Sequence, residues 1–260
     1  MERAALVTGA SNGIGLEFAK LLAGDGYDLI LVDINGNGLE TARAEIEKKW
    51  QVGVKLIKID FSQSEAACEV YGRIKDIDID VLINNAGHGH WGPFSESDWK
   101  WERSMIFLHV VNSSHLTKLI LKGMISRGRG KIMNVSSVAA LVPGPMMAVY
   151  YASKSYLLSF GQAISNELKG TGITVTSLCP GLIRTGFAIS VAKNSNVPKM
   201  KEGFLSDSSE KIAAKAYKAM NKGKQVYIPM FKNRIYAFLL WILPRRIATI
   251  ILRKMQDRIH

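Results

Sequence analysis

The sequence predicts an α/β protein built on a doubly wound parallel sheet of seven strands, with helices on both faces and a basic, amphipathic helical extension at the C-terminus. Three observations predict it. Short, nearly continuous apolar runs recur along most of the chain, amphipathic segments of helical period separate them, and a glycine-rich turn joins the first run to the first such segment. Strands that read Val/Ile/Leu throughout are buried on both faces, which happens when helices cross over between parallel neighbours.

The strand runs, in order, are AALVT (4–8), DLILV (28–32), VKLIKI (54–59), DVLIN (80–84), GKIMNVSS (130–137), GITVTSLC (172–179) and KQVYIP (224–229). Segments such as GLEFAKLLAGDG and NGLETARAEIEKKW, with the apolar spacing of helices, fill the gaps. The helix SSEKIAAKAYKAM precedes the last strand, with Ser206 and Asp207 as candidate caps. A chain of 260 residues, 47% hydrophobic and 22% charged, can bury a full core and is not of disordered composition. It shows no repeat and no linker. Residues 1–230 are expected to form one domain with a substrate lid at about 187–205, and 231–260 a helical tail.

The only cysteines, Cys68 and Cys179, lie far apart and read as packing residues in a reducing compartment, so a cytoplasmic protein is expected. The early run AALVTGA stops at a glycine turn and lacks the basic start of an export signal. No metal-ligand spacing is present, and no metal is expected.

After the first strand comes TGASNGIG, Thr8–Gly15. Gly9, Gly13 and Gly15 allow a tight turn and a close approach of backbone to a diphosphate, with Ser11, Asn12 and Ile14 completing the loop at a helix N-terminus. Such a turn also occurs with no ligand. Asp33 ends the second strand 18 residues after Gly15, near the spacing of an acid that grips an adenosine ribose; otherwise it is a turn aspartate. An acid there repels a 2′-phosphate, and the neighbouring Ser11-Asn12 and Ile34-Asn35 hold no Arg or Lys, so NAD is expected over NADP.

The stretch VYYASKSY places Tyr150 four residues before Lys154 and Tyr151 three before it. Four residues share a helix face. A lysine beside a phenol favours the phenolate and would let the pair move a proton near neutrality. An isolated YxxxK is far more often a surface pair, and the rest of the chain has to change that.

NNAG (Asn84–Gly87) follows the fourth strand, Ser136-Ser137 the fifth, and PGLIRT (Pro180–Thr185) the sixth. With Thr8–Gly15 and Tyr150–Lys154 these elements, in order, resemble the short-chain dehydrogenase/reductase family from Ala4 to about Phe187. The finer texture is similar to a bacterial group labelled DltE-like. The resemblance implies a Rossmann-like fold, an NAD(P)-dependent oxidoreductase that interconverts a carbonyl and a secondary alcohol, and a homodimer or homotetramer. It implies Tyr150 as general acid/base, Lys154 as the group that lowers its pKa and holds the nicotinamide ribose, and Ser137 as a donor to the substrate oxygen. It also implies Asp60 near the adenine, Asn85 along the ribose, Ile183 and Thr185 near the carboxamide, and a packing role for Tyr151.

One position departs from the family pattern. The family carries an asparagine eight residues ahead of a threonine in the helix before the fifth strand; here the threonine is Thr117 and the position holds His109, with Asn112 three residues later. In the family that asparagine helps hold a water linked to the lysine. His109 can replace it, since imidazole donates and accepts, and at an ordinary pKa near 6.5 it would add an acidic limb to the rate profile. It equally reads as a core histidine in an impaired relay. The alternative function is therefore a nucleotide-binding protein with little turnover.

Charge is uneven: from Lys222 to His260 nine Lys/Arg face the one acid Asp257, which is +8 of the chain's +12. A basic apolar tail is not the signature of a nucleic-acid binder. The run Tyr236–Leu243, broken by Pro244 and Arg245-Arg246 and followed by IATIIL, is too short and charged to span a membrane. It suits a helix pair lying on an anionic lipid surface, on the inner face of the membrane, or one packing over the substrate lid or another subunit. The lid mixture of apolar and basic residues suggests a lipid-like or acidic substrate.

Overall fold

In the computed structural model of the protein, residues 3–181 and 208–257 are described. Seven parallel strands form one sheet in the order β3-β2-β1-β4-β5-β6-β7. They are β1 (Ala4–Thr8), β2 (Asp28–Asp33), β3 (Val54–Lys58), β4 (Ile79–Asn84), β5 (Gly130–Val135), β6 (Ile173–Leu178) and β7 (Val226–Tyr227). The last is far shorter than the run 224–229, and the 130–137 strand stops at Val135. Beyond it Ser136 N still donates to Leu178 O at 2.8 Å and Val138 N to Pro180 O at 3.0 Å, so Ser136 and Ser137 stay beside the end of β6.

The helices are α1 (Gly13–Gly24), α2 (Gly36–Lys49), α3 (Ala66–Gly72), α4 (Trp99–Ile106), α5 (Ser113–Arg127) and α6 (Ala148–Glu167). Helices Ser209–Asn221, Phe231–Ile242 and Arg245–Asp257 follow. The cap of Ser209–Asn221 is Ser208, whose side chain accepts from Lys211 N at 3.3 Å; Ser206 and Asp207 lie outside the described residues.

The period-2 alternation of the strands divides the core. Val7, Leu29, Leu31, Val81 and Ile83 pack one face against Phe18 and Leu22 of α1, Ile46 of α2 and Ile212. Leu6, Ile30, Val32, Leu82 and Ile132 pack the other against Val70, Leu116, Ile120 and Met124. Both faces are therefore dry, which is what lets these strands be apolar throughout. The strand order reverses between β1 and β4, and the crevice at the carboxyl ends there is where such sheets bind ligands. Cys179 is buried, but Cys68 is exposed on α3, against the expectation that both pack.

Candidate active site

The glycine turn opens this crevice. Gly9 has a φ of +66°, and a Cβ there would lie 2.8 Å from Ala86 Cα, so only glycine lets the turn pass the loop after β4. A Cβ on Gly15 would fall 2.1 Å from the Gly9 carbonyl oxygen, so that glycine seats α1 on the turn. Gly13 begins α1. Asn12 precedes the helix in extended conformation, its side chain makes no capping bond, and the first turn carries no acid. The helix N–H groups and the positive end of its dipole are thus offered to an anion, which fits the diphosphate of a dinucleotide. Ile14 turns its side chain into the core, leaving only its backbone for a ligand.

Asp33 accepts Ser11 N at 3.0 Å and Asn35 N at 2.9 Å, tying the glycine turn to the loop after β2. No basic residue neighbours it along the chain, but one does across the sheet: Lys58 is its register partner on β3, and its side chain lies beside Gly36. Asp60 accepts Ser62 N at 3.0 Å, Ser62 Oγ at 2.7 Å and Gln63 Nε2 at 2.9 Å. Burial works against its charge, yet these donors hold its carboxyl below the ordinary value.

Asn85 is a clamp as much as a lining residue. Its Nδ2 donates to Thr8 O at 2.9 Å and Gly9 O at 3.0 Å, while Asn85 N and Ala86 N both donate to Thr8 Oγ1 at 3.0 Å. The amide that was expected along a ribose is engaged by the glycine turn.

The other end of the crevice holds Ser137, Tyr150 and Lys154. Ser137 caps the short helical turn Val138–Leu141 by accepting Ala139 N at 3.1 Å, and it hydrogen-bonds the Tyr150 phenol. Tyr150 and Lys154 share the buried face of α6. Lys154 Nζ donates to Val135 O at 2.9 Å and stands 5.8 Å from the centre of the Tyr150 ring. Tyr151, one step round the helix, packs on Tyr150 with ring centres 6.1 Å apart.

The electrostatics differ from expectation. Burial pushes the Tyr150 phenol above its ordinary value, the Ser137 hydrogen bond pulls it back, and Tyr151 adds a smaller push. The lysine does not set the balance, because its ammonium is turned toward the Val135 carbonyl and is itself desolvated. Burial lowers Lys154 to about 8, with Cys179 opposing.

His109 lies in a π-helical segment, Phe107–Asn112, between α4 and α5. Such a bulge re-aims side chains that a continuous helix would place elsewhere. The ring is fully buried, 6.0 Å from the Tyr150 ring. Its Nδ1 is 2.8 Å from Ser153 Oγ, and that hydroxyl donates to the Tyr150 carbonyl at 2.8 Å. A hydroxyl whose proton is so committed accepts from Nδ1–H, which leaves Nε2 as an acceptor in the neutral ring. Nε2 has no protein partner and faces Gly87: a Cβ there would be 2.7 Å from it and 3.3 Å from Lys154 Nζ. Burial, then Lys154 and His88, hold the imidazole well below its ordinary value. The acidic limb near 6.5 expected of it is therefore displaced to lower pH.

Asn112 does not share this place. It is fully buried, accepts Ala67 N at 3.2 Å, and donates to Phe61 O at 2.9 Å and Gln63 O at 2.6 Å. The residue beside Tyr150 and Lys154 is His109.

Two features escaped the sequence reading. His88 lies 6.3 Å from His109 between ring centres and contacts Ser104 Oγ at 2.5 Å. Its position just after NNAG was the available signal. Ser153 links His109 to Tyr150, and nothing in its sequence neighbourhood marks it. Ile183, Thr185 and the lid at about 187–205 lie outside the described residues.

The family model described as short chain dehydrogenase matches residues 3–196. The chain belongs to the short-chain dehydrogenase family. It is 34% identical over 206 residues to the Very-long-chain 3-oxoacyl-CoA reductase of Phaeosphaeria nodorum, covering 76% of this chain and 60% of that protein. It is 32% identical over 229 residues to Hydroxysteroid dehydrogenase-like protein 1 of Gallus gallus, covering 86% and 67%. A short-chain dehydrogenase from Sphingobium yanoikuyae, solved in complex with NADPH, superposes with a TM-score of 0.81 at 26% identity over 91% of this chain and 92% of that one. The chain spans about three fifths of the length of several curated reductases that it matches.

Proposed function

We propose that the protein is an NAD-dependent oxidoreductase that interconverts a carbonyl and a secondary alcohol on an apolar, acyl-like substrate. The observation that carries this reading is the convergence of Ser137, Tyr150 and Lys154 at one end of a crevice whose other end is a glycine turn fit for a diphosphate. Ser137 and the Tyr150 phenol hold the substrate oxygen, and Tyr150 gives or takes its proton. The Lys154 cation holds the ribose hydroxyls. A bound nicotinamide would supply the hydride. His109, through Nε2, accepts a hydrogen bond from a water that also touches Lys154, in the place of the family asparagine.

NAD is preferred because Asp33 puts a carboxylate where a 2′-phosphate would sit; Lys58 opposes this without removing it. The acyl-like substrate is supported by the likeness to 3-oxoacyl-CoA reductases. A cytoplasmic location is supported by two free thiols, Cys68 and Cys179, and a homodimer or homotetramer by the family likeness.

A second reading, a dinucleotide-binding protein with little turnover, is favoured by His109 alone. One experiment separates the two. Purified protein is titrated with NADH by fluorescence and assayed for NADH oxidation on 3-oxoacyl thioesters, steroids and small ketones. Turnover on the 3-oxoacyl compounds is expected. NADH binding with no turnover on any of the panel would favour the second reading, and absence of binding would overturn both.

A further inference from the structure

The tail has two faces that do different things. Its inner face is fixed to the rim of the site. Ala248 and Leu252, one turn apart, are buried against Val142 with Tyr151 and Leu243 packed around them. Arg253 reaches the sulfur of Met146, which holds a left-handed φ of 60° four residues before Tyr150. Asn233 of the preceding helix sits so close to Gly181, in the turn after β6, that a Cβ there would be 2.1 Å from its Nδ2. The two helices therefore roof the segment between Ser137 and Tyr150.

The outer face is apolar and exposed. Ile235, Leu239 and Ile242 are 47%, 53% and 58% exposed at spacings of four and three, one stripe of Phe231–Ile242. Ile247, Ile250 and Ile251 are 46%, 56% and 42% exposed and form a stripe on Arg245–Asp257, away from Ala248 and Leu252. Lys232, Arg245, Arg246 and Lys254 flank these stripes, and residues 231–256 contain no acid. Isolated exposed isoleucines are ordinary, but clustered stripes of them mark an interaction surface. A second copy placed on this face would set two basic surfaces against each other, whereas anionic headgroups neutralise them. No described helix is long and apolar enough to cross a membrane.

We propose that the outer face of the two tail helices lies in the surface of an anionic lipid bilayer, apolar side chains among the acyl chains and Arg/Lys at the headgroups. The contact brings the Ser137–Tyr150 rim of the site to the lipid surface, so that an apolar carbonyl compound enters from the bilayer. That consequence rests on the lipid-like substrate proposed above; the bilayer contact itself does not.

The full-length protein with NADH is mixed with vesicles of phosphatidylcholine alone or with phosphatidylglycerol, and binding is read by flotation. Partition at least about tenfold stronger onto the anionic vesicles, weakened by salt, is expected. The double variant I247D/I250D is expected to lose at least tenfold in vesicle binding and to lose activity on vesicle-borne substrate. Its NADH affinity and turnover of a water-soluble ketone should stay unchanged, which shows that it is folded. Failure of the wild type to bind anionic vesicles, or undiminished binding by the variant, would overturn the proposal. So would a dimer, seen by sedimentation, that the same variant dissociates while vesicle binding is absent. Loss of NADH binding or soluble-ketone turnover in the wild type would instead count against the oxidoreductase reading, which vesicle flotation does not need.

Discussion

Tyr150 carries the only phenol that both touches Ser137 and shares a buried helix face with Lys154 among the described residues. Tyr150→Phe keeps the ring's volume and deletes the proton, so turnover should fall by about 10²–10⁴-fold while NADH affinity changes little. Tyr151→Phe should be mild. Steady-state rates with a fluorescence titration on both variants check this, and a dead Tyr151→Phe would put the proton on the wrong tyrosine. Lys154 adds a pH limit. With burial lowering it to about 8, the cation is lost as pH rises through that value, so carbonyl reduction should decline above about pH 8 in a kcat/KM profile.

His109 makes its mark on stability as well as rate. The unfolded imidazole takes a proton below about pH 6.5, but the buried one, held well below that value by desolvation and by Lys154, does not. The unfolded state then binds more protons, so stability falls as pH drops below about 6.5, by up to about 1.4 kcal/mol per pH unit for this group. His88, lowered chiefly by burial, acts in the same direction. Urea unfolding from pH 5 to 8 should show the decline, and His109→Asn should flatten it. His109→Asn should also keep substantial activity while His109→Ala loses it; equal rates in the two would remove His109 from the proton path.

At the scale of elements, the π-helical segment makes His109 and Asn112 serve different partners. His109 faces α6, through Ser153 and Tyr150; Asn112 faces the loop from Phe61 to Ala67 that carries the chain from Asp60 into α3. Asn112→Ala takes this partner from two buried backbone groups, Phe61 O and Ala67 N. It should cost about 2–4 kcal/mol of stability and weaken dinucleotide binding through the displaced Asp60 loop, while changing kcat at saturating NADH little. Chemical denaturation with kinetics at high and low NADH separates these effects.

At the scale of the whole molecule, a dinucleotide would join the glycine turn, Asp33 and the Lys154 end of the crevice, and a ligand bound only by the folded chain stabilises all of it together. NADH at about 100 times its Kd should add about 2.7 kcal/mol, a Tm rise of roughly 5–10 °C for a chain of this size. NADPH at the same concentration should give a smaller rise if it binds at least tenfold more weakly, which is about 1.4 kcal/mol. Thermal melts decide it, and Asp33→Asn should narrow the gap. Equal shifts in the wild type would mean that Lys58 outweighs Asp33.

The sequence by itself determined the sheet, its parallel strands and the candidate residues, because period, glycine spacing and motif order are local properties of the chain. Strand ends were less legible: β5 stops at Val135 and β7 shrinks to Val226–Tyr227, since pairing partners and not propensity end a ladder. What only the tertiary structure decided is which groups face one another. Lys58 stands beside Asp33 although 25 residues separate them, because register across β2 and β3 aligns them. Lys154 does not set the pKa of Tyr150 despite lying one helical turn away, because burial desolvates both groups and the Val135 carbonyl takes the ammonium. The tail's apolar residues were plain in the sequence. Their division into an inner face at Ala248 and Leu252 and an outer face of isoleucines follows from where the helix docks, and docking is a property of the folded surface alone.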